Sequence, residues 1–341
     1  MKKVKRLASF FLVTALAGSI LAGCSSDSKK AASNGEKQDT VLEYQVQAGT
    51  VSFPELAADL GYLGDLKLEN VSSYTGGPES IQLTATGETD FGYAFNGAII
   101  KSYAKNVKIK SVVGAYGSDK NTFVGAYALE GSSIKSAKDF IGKKVGVNIL
   151  GAHFEFVLKD YLRQGGLTED EIKQVTLVVI PMVNSEQALR SKQADVVLVN
   201  SLPKELLIER GEVVEIFKDT DVYNTEFTAG DYFFSQDYIE ENPDTVKQFT
   251  EGVAKAIEWA RTTPREEVTA RFEKILAARG EDEMIPSLKY WKSTGIAEEG
   301  GLINDAEYDT WIKWLEKNGE LKEGQVKAAD LYTNEYNPYA K

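Results

Sequence analysis

Short apolar runs alternate with stretches of helical period along most of this chain. Val41-Leu42-Glu43-Tyr44-Gln45-Val46 reads as a first strand, and further strands are predicted over 67–71, 90–95, 109–113, 144–148, 176–180 and 195–200. Helices are predicted over 54–60, 79–85, 136–140, 152–164 and 186–192, and two more begin near Asn96 and Asn200. Within 152–164, Phe154, Val157, Leu158, Tyr161 and Leu162 recur at helical spacing, and Gly165-Gly166 supplies a stop. Such alternation predicts α/β layers with largely parallel sheets. After about Pro243 only helices are predicted. Asn242-Pro243 sets a capping residue before a proline at the first helical position. Thr263-Pro264-Arg265-Glu266 repeats that device, with Glu266 placed to close a capping box.

Two segments share a layout. Residues 80–96 (SIQLTATGETDFGYAFN) and 185–200 (SEQALRSKQADVVLVN) each run helix, tight break, Asp, apolar strand, terminal Asn. The pattern suggests two lobes of like topology, although helix–turn–Asp–strand is common in α/β proteins. Ligands of open α/β sheets bind beyond the carboxyl ends of strands, where helix N-termini also point. That rule nominates Gly49 to Phe53, Thr75 to Glu79, Phe95 to Ala98, Leu150 to His153, and Asn200-Ser201. Each has a plainer alternative. Gly76-Gly77-Pro78 also suits a simple turn, Asn96 and Asn200 suit helix caps, and His153 suits a packing role. Phe53, Tyr74, Tyr93, Phe95, Phe123 and Tyr127 lie near the same strand ends, and two or three of them are expected to wall a small-molecule pocket.

Composition narrows the chemistry. The 341 residues are 43% hydrophobic and 26% charged, which suits one large domain or two lobes rather than a disordered chain or a polytopic membrane protein. There is one cysteine, Cys24, and one histidine, His153. Structural zinc, iron–sulfur clusters, CxxC chemistry and internal disulfides therefore lack ligands or partners. A Ser-His-Asp site could use only His153, and neither a nucleophile elbow nor a phosphate-loop lysine is present. No cofactor, metal or catalytic constellation is expected. The net charge of −12 argues against nucleic acid or anionic lipid as a main partner.

Residues 1–23 read as a leader. Lys2, Lys3, Lys5 and Arg6 precede an apolar stretch, Leu7 to Leu21, too short to span a bilayer comfortably. It ends Leu21-Ala22-Gly23-Cys24, which resembles the lipobox of bacterial lipoproteins, where the cysteine becomes the lipidated first residue. The Ser, Lys, Asp, Ala and Gly that follow, to about Thr40, form a flexible tether over 24–40. The expectation is an extracytoplasmic monomer anchored to the membrane through lipid on Cys24.

Taken in order, the lipobox, the tether, TGGPESIQLTATGETDFGYAFNGA, SAKDFIGKKVGVN, GAHFEFVLKDYLRQGGL and NPDTVKQF resemble solute-binding proteins of ABC importers. The resemblance is to the group serving sulfonates, taurine, nitrate and thiamine-precursor pyrimidines. It implies an α/β, type II periplasmic-binding fold with a ligand cleft between two lobes joined by two crossovers, and a helical C-terminal part. The implied lobes are 41–127 plus 229–341 and 128–228, with crossovers near Tyr127-Ala128 and Tyr223–Gly230. Ligand positions implied by motif are Ser52, Phe53, Gly77, Pro78, Phe95, Asn96, Gly151, Ala152 and His153, with Asn200 added from the internal repeat. The implied function is non-enzymatic: capture of a small organic solute and delivery to the permease subunits. An aliphatic sulfonate or taurine-like compound is favoured because the nominated groups are neutral donors. A heteroaromatic vitamin precursor, thiamine pyrimidine or riboflavin, is the alternative, for which Glu79 and Glu226 are the available acidic partners. A structural surface lipoprotein is a further one.

Overall fold

The computed structural model describes residues 38–341. The leader, Cys24 and nearly all of the tether lie outside the described residues. The fold opens with β1 (Val41–Val46), α1 (Phe53–Asp59), β2 (Lys67–Ser73), α2 (Gly77–Thr86), β3 (Phe91–Phe95), α3 (Asn96–Tyr103) and β4 (Ile109–Ser118). A second series comprises β5 (Gly125–Leu129), β6 (Lys144–Val147), α4 (His153–Gln164), α5 (Glu169–Ile172) and β7 (Thr176–Val179). It continues through α6 (Ser185–Arg190), β8 (Val196–Val199), α7 (Ser201–Glu209) and β9 (Val213–Lys218). The chain then returns by α8 (Asp219–Tyr223), β10 (Phe227–Ser235) and α9 (Gln236–Glu241). It ends in α10 (Pro243–Thr262), α11 (Arg265–Ala278), α12 (Asp305–Lys317) and α13 (Ala328–Leu331).

These strands build two layers of matching plan. The second sheet runs β7-β6-β8-β5-β9, with β6 parallel to β7 and β8, and β5 antiparallel to β8 and β9. In the first, β1 and β2 are parallel, and β10 lies antiparallel between β3 and β4. β1 joins β3 through Asp90, which accepts the Glu43 N–H at 2.7 Å and returns its own N–H to the Glu43 carbonyl at 2.9 Å. The first layer therefore reads β2-β1-β3-β10-β4. The expectation of largely parallel sheets holds for strand direction, with one antiparallel strand, β5 or β10, taken into each layer. That strand reaches each layer directly after the chain crosses over from the other. Tyr127 and Ala128, where the resemblance put a crossover, sit inside β5 in the second sheet. The chain passes between layers over 119–124 and 219–226.

Apolar periodicity explains the layering. In α10, Val246, Phe249, Val253, Ala256, Ile257 and Ala260 fall on one face and pack with β1, β4 and α1 in one core. On the other side of the first sheet, Trp311, Ile312 and Leu315 of α12 pack with Phe95, Ile99 and Phe233. Phe154, Val157, Leu158 and Leu162 of α4 cover the second sheet, and Gly166 leaves that helix in the left-handed region at φ +84°. Two predicted caps do not form. The Asn242 side chain accepts the Asp39 N–H at 2.9 Å instead of closing α10. α11 starts at Arg265, one residue too late for Thr263 and Glu266 to make a capping box.

Candidate functional site

The carboxyl ends of the two sheets face each other, and three contacts define the approach. A Cβ on Gly76, before α2, would lie 3.0 Å from Ile149 Cδ1, just past β6. One on Gly151 would lie 3.1 Å from Lys101 Nζ of α3. The His153 ring stacks on Phe95 with centroids 5.2 Å apart. Glycine is required on the first side too, because a Cβ on Gly77 would come within 2.9 Å of the Ala94 Cβ. Farther out, Lys292 pairs with Glu205 at 2.7 Å, and Lys289 with Glu209 at 3.1 Å, tying α7 to the segment after α11.

The nominated helix starts divide into two kinds. At α1, Glu55 accepts both the Ser52 N–H and the Ser52 hydroxyl at 2.8 Å, and the Phe53 N–H reaches the Tyr232 hydroxyl at 3.3 Å. Ser52 and Phe53 have therefore committed their donors inside the fold, and the Phe53 ring lies in the core. By contrast α2, α3, α4 and α7 begin without a side-chain cap. Their first N–H groups lack the usual internal acceptor. Gly77 with exposed Pro78 opens α2, Asn96 opens α3 after Phe95, Ala152 precedes His153 in α4, and Asn200 precedes α7. Gly151 donates its N–H to Glu155 at 2.7 Å, so α4 is partly closed by its own first turn.

Most buried side-chain polar atoms without partners among the described residues lie at the same strand ends, the others being on Thr228, Asp231, Tyr238 and Trp314. Asn96 is fully buried with both amide atoms unpaired, and Asn200 Oδ1 is unpaired at the end of β8. The structure adds Asn148 Oδ1 after β6, Gln45 Oε1 near the end of β1, and Ser72 Oγ opposite it in β2. Sequence reading passed over these three because single polar residues at strand ends look ordinary. Gln45 donates its amide N–H to the Ser73 carbonyl at 3.2 Å, which fixes its free atom as an acceptor. Unpaired groups of this kind each carry a desolvation cost of about 1–3 kcal/mol.

His153 sits in an aromatic box. Phe95 stacks on it, while Phe227 and Trp311 meet it edge-on at 5.8 and 5.7 Å. Burial pushes the imidazole down to about 3, so it is neutral at physiological pH. Its Nε2 has no hydrogen bond and lies 3.6 Å from Asp219 Oδ2. Asp219 accepts the Ser118 hydroxyl at 2.6 Å and is pushed up to about 6 by burial, against those hydrogen bonds. The remaining aromatics sort by use. Tyr74 and half-buried Tyr93 stack at 4.2 Å, with Tyr116 edge-on to Tyr93 at 6.4 Å. Tyr127 is spent on Glu215, 2.6 Å away, and Phe123 lies beneath the Lys204 ammonium at 3.4 Å. Glu226 accepts the Lys120 N–H. Among the described residues no cluster of three or more His, Cys, Asp or Glu could hold a metal ion, and no helix is long and apolar enough to cross a membrane.

This arrangement has known counterparts. The NMT1/THI5-like family model matches residues 56–267. The chain belongs to that family. A Brucella abortus (strain 2308) protein named as a binding protein is 25% identical over 274 residues, covering 77% of this NMT1/THI5-like chain and 80% of the relative. Among solved structures, the periplasmic aliphatic sulphonate binding protein of Escherichia coli superposes with a TM-score of 0.64 at 18% identity, covering 86% of this chain and 91% of that one. The alkanesulfonate-binding protein of Xanthomonas axonopodis pv. citri bound to MOPS gives 0.66 at 15% identity, covering 87% and 99%. The nitrate-binding protein of Synechocystis PCC 6803 gives 0.63 at 11%, covering 87% of each chain. The fold is that of periplasmic binding proteins.

Proposed function

We propose that this chain is the extracytoplasmic solute-binding component of an ABC importer, holding a small organic solute between its two sheets and presenting it to the permease. The observation that carries the reading is the set of buried, unpartnered side-chain atoms on Gln45, Ser72, Asn96, Asn148, His153 and Asn200 at facing strand ends. A solute that satisfied them would recover their desolvation cost. The lobes then divide at 119–124 and 219–226. Membrane attachment through Cys24 and a monomeric state belong to the same reading, as does a purely binding, non-enzymatic role.

For the solute, an organosulfonate or taurine-like compound is the first reading, because the uncapped start of α2, and the part of the α4 start that Glu155 leaves open, present N–H donors to an acceptor-rich head. A heteroaromatic solute is the second. It is favoured by the Tyr74–Tyr93 stack and by the Gln45 acceptor, which a sulfonate head group or a simple alkanesulfonate cannot satisfy. The test uses residues 38–341 stripped of carried-over solute by unfolding and refolding, and thermal shifts with taurine, alkanesulfonates, nitrate, aminopyrimidines and riboflavin. A binder at one hundred times its Kd adds about 2.7 kcal/mol, several degrees in Tm. Sulfonate-only shifts support the first reading and pyrimidine or flavin shifts the second. No shift, together with an unchanged scattering profile in cell extract, favours a structural lipoprotein.

A further inference from the structure

We propose that Arg279 is a positioning residue for the solute crevice: it fixes the 47–52 loop and, through Gln47, the Tyr93–Tyr74 wall. The inference rests on the crevice being the solute site. Arg279 directly follows α11, more than two hundred residues from that loop, and its side chain is 15% exposed. All five of its N–H donors are used. Nη1 donates to the Thr50 carbonyl at 2.9 Å and to Glu55 Oε1 at 2.9 Å. Nη2 donates to the Gln47 carbonyl at 3.2 Å and to Glu281 Oε2 at 2.6 Å, and Nε donates to Glu281 Oε1 at 3.1 Å.

The grip is completed around the turn. Glu281 accepts the Gly49 N–H at 2.8 Å, and the Thr50 N–H closes onto the Gln47 carbonyl at 3.1 Å. Gly49 adopts φ +71°, and a Cβ there would run into the Met284 methyl, so the turn is held from outside by the segment after α11. Glu55, which organises Ser52, is held in place by the same guanidinium. The route into the crevice is the Gln47 side chain, whose Oε1 accepts the Tyr93 hydroxyl at 2.9 Å. Tyr93 in turn stacks on Tyr74. The guanidinium thus sets one backbone carbonyl, that residue sets a phenol, and the phenol sets a half-buried ring face. A lysine keeps the charge but cannot serve two carbonyls and two carboxylates with one planar fork.

The experiment combines two readouts on Arg279→Lys, Arg279→Ala and Glu281→Gln in residues 38–341. Ring-carbon-labelled tyrosine spectra, with Tyr74 and Tyr93 signals assigned by Tyr74→Phe and Tyr93→Phe, report the wall without any solute. Calorimetry with the tightest binder among taurine, butanesulfonate, nitrate and an aminopyrimidine reports affinity. Arg279→Lys should move both tyrosine signals and weaken binding about tenfold while far-UV dichroism stays native. Arg279→Ala should do more, and Glu281→Gln, which keeps the guanidinium, less; should the alanine variant fail to fold, the other two decide. Tyrosine signals left in place with affinity within about twofold would reduce Arg279 to a stabilising residue and overturn the proposal. If no probe binds the unmodified protein and its scattering profile is unchanged in cell extract, the solute-binding reading fails, and the spectra alone still decide whether Arg279 sets the wall.

Discussion

In the first sheet Asp90 accepts the Glu43 N–H while its own N–H returns to the Glu43 carbonyl; in the second, Asp195 does the same with Lys144, both bonds at 2.8 Å. Each Asp follows a helix broken by a left-handed residue, Gly87 at φ +74° or Lys192 at φ +61°. Each precedes a buried strand that ends at an asparagine opening an uncapped helix. The copies differ in what surrounds that last step. Phe95 closes the first strand among His153, Phe156 and Trp311, and Asn96 behind it is fully buried with neither amide atom paired. Val199 closes the second, and Asn200 keeps some exposure with one unpaired atom. The same device gives a fully buried, aromatic-walled end on one side and a partly exposed one on the other. We attribute the asymmetry to β3 ending against α4 and α12 together.

The largest test of that difference is truncation of the closing residues. Phe95→Ala should cost about 3–5 kcal/mol in urea unfolding, because the box around His153 loses its stacking face. Val199→Ala should cost only about 1.5–2 kcal/mol, two buried methyl equivalents. Equal losses would mean that the aromatic box adds nothing.

Next comes His153. Its folded-state value of about 3 lies below its ordinary 6.5, so the unfolded chain binds the extra proton between those values. The stability contribution is full above pH 6.5 and is lost as pH falls toward 3, by at most about 1.4 kcal/mol per pH unit. Asp219 and Asp90, both pushed up to about 6 by burial, act with opposite sign and favour the folded state as pH falls from 6 toward 3.8. His153→Gln should flatten the loss of stability between pH 6.5 and about 4.5, above the range where carboxylates held low by their partners, such as Glu169 and Glu281, begin to titrate, and an unchanged slope there would assign it elsewhere.

A smaller contrast separates the two aspartates. Asp90→Ala strands a part-buried N–H and should cost about 1–2 kcal/mol, whereas Asp195→Ala exposes the Lys144 N–H to water and should cost under about 1 kcal/mol. The smallest effect on stability belongs to Asn96→Ala. With no bond to lose, it should shift the midpoint little, yet it should weaken solute binding about tenfold. A loss of more than about 2 kcal/mol would make Asn96 a structural residue.

The repeat was legible because it is local: the turn, the Asp and the apolar strand lie within sixteen or seventeen consecutive residues. β10 was not. Gly230 and Asp231 interrupt its apolar run; Asp231 is held there by Tyr308, 77 residues away, which donates to it at 2.7 Å, while burial and the neighbouring Glu307 push its carboxyl well above the ordinary range. The strand's identity lies in partners the local pattern cannot show. β5 and β9 were missed in the same way, since β9 depends on pairing with β5, and β5 on pairing with β8 and β9. The helix starts at the facing strand ends were readable from Gly, Pro and Asn. That Ser52 had spent its donors on Glu55 was not, because S-x-x-E marks a cap and an open site alike until Arg279 and Tyr44 are seen to hold the carboxylate. Asn242 failed as a cap for a related reason, its oxygen being taken by Asp39 from across the fold.

The exchange of antiparallel strands also sets an order of assembly. Residues 125–218 contain every strand of the second sheet, so that layer can complete its pairing as soon as its last residue is available. The first layer cannot. β3 and β4 have no direct partner in each other and wait for β10, more than a hundred residues later, to bridge them. Closing that loop carries the larger entropy, and until it happens two strand edges stand open. The contiguous half should gain amide-exchange protection first during refolding, and the gap between β3 and β4 is where a newly made chain is most exposed to mispairing.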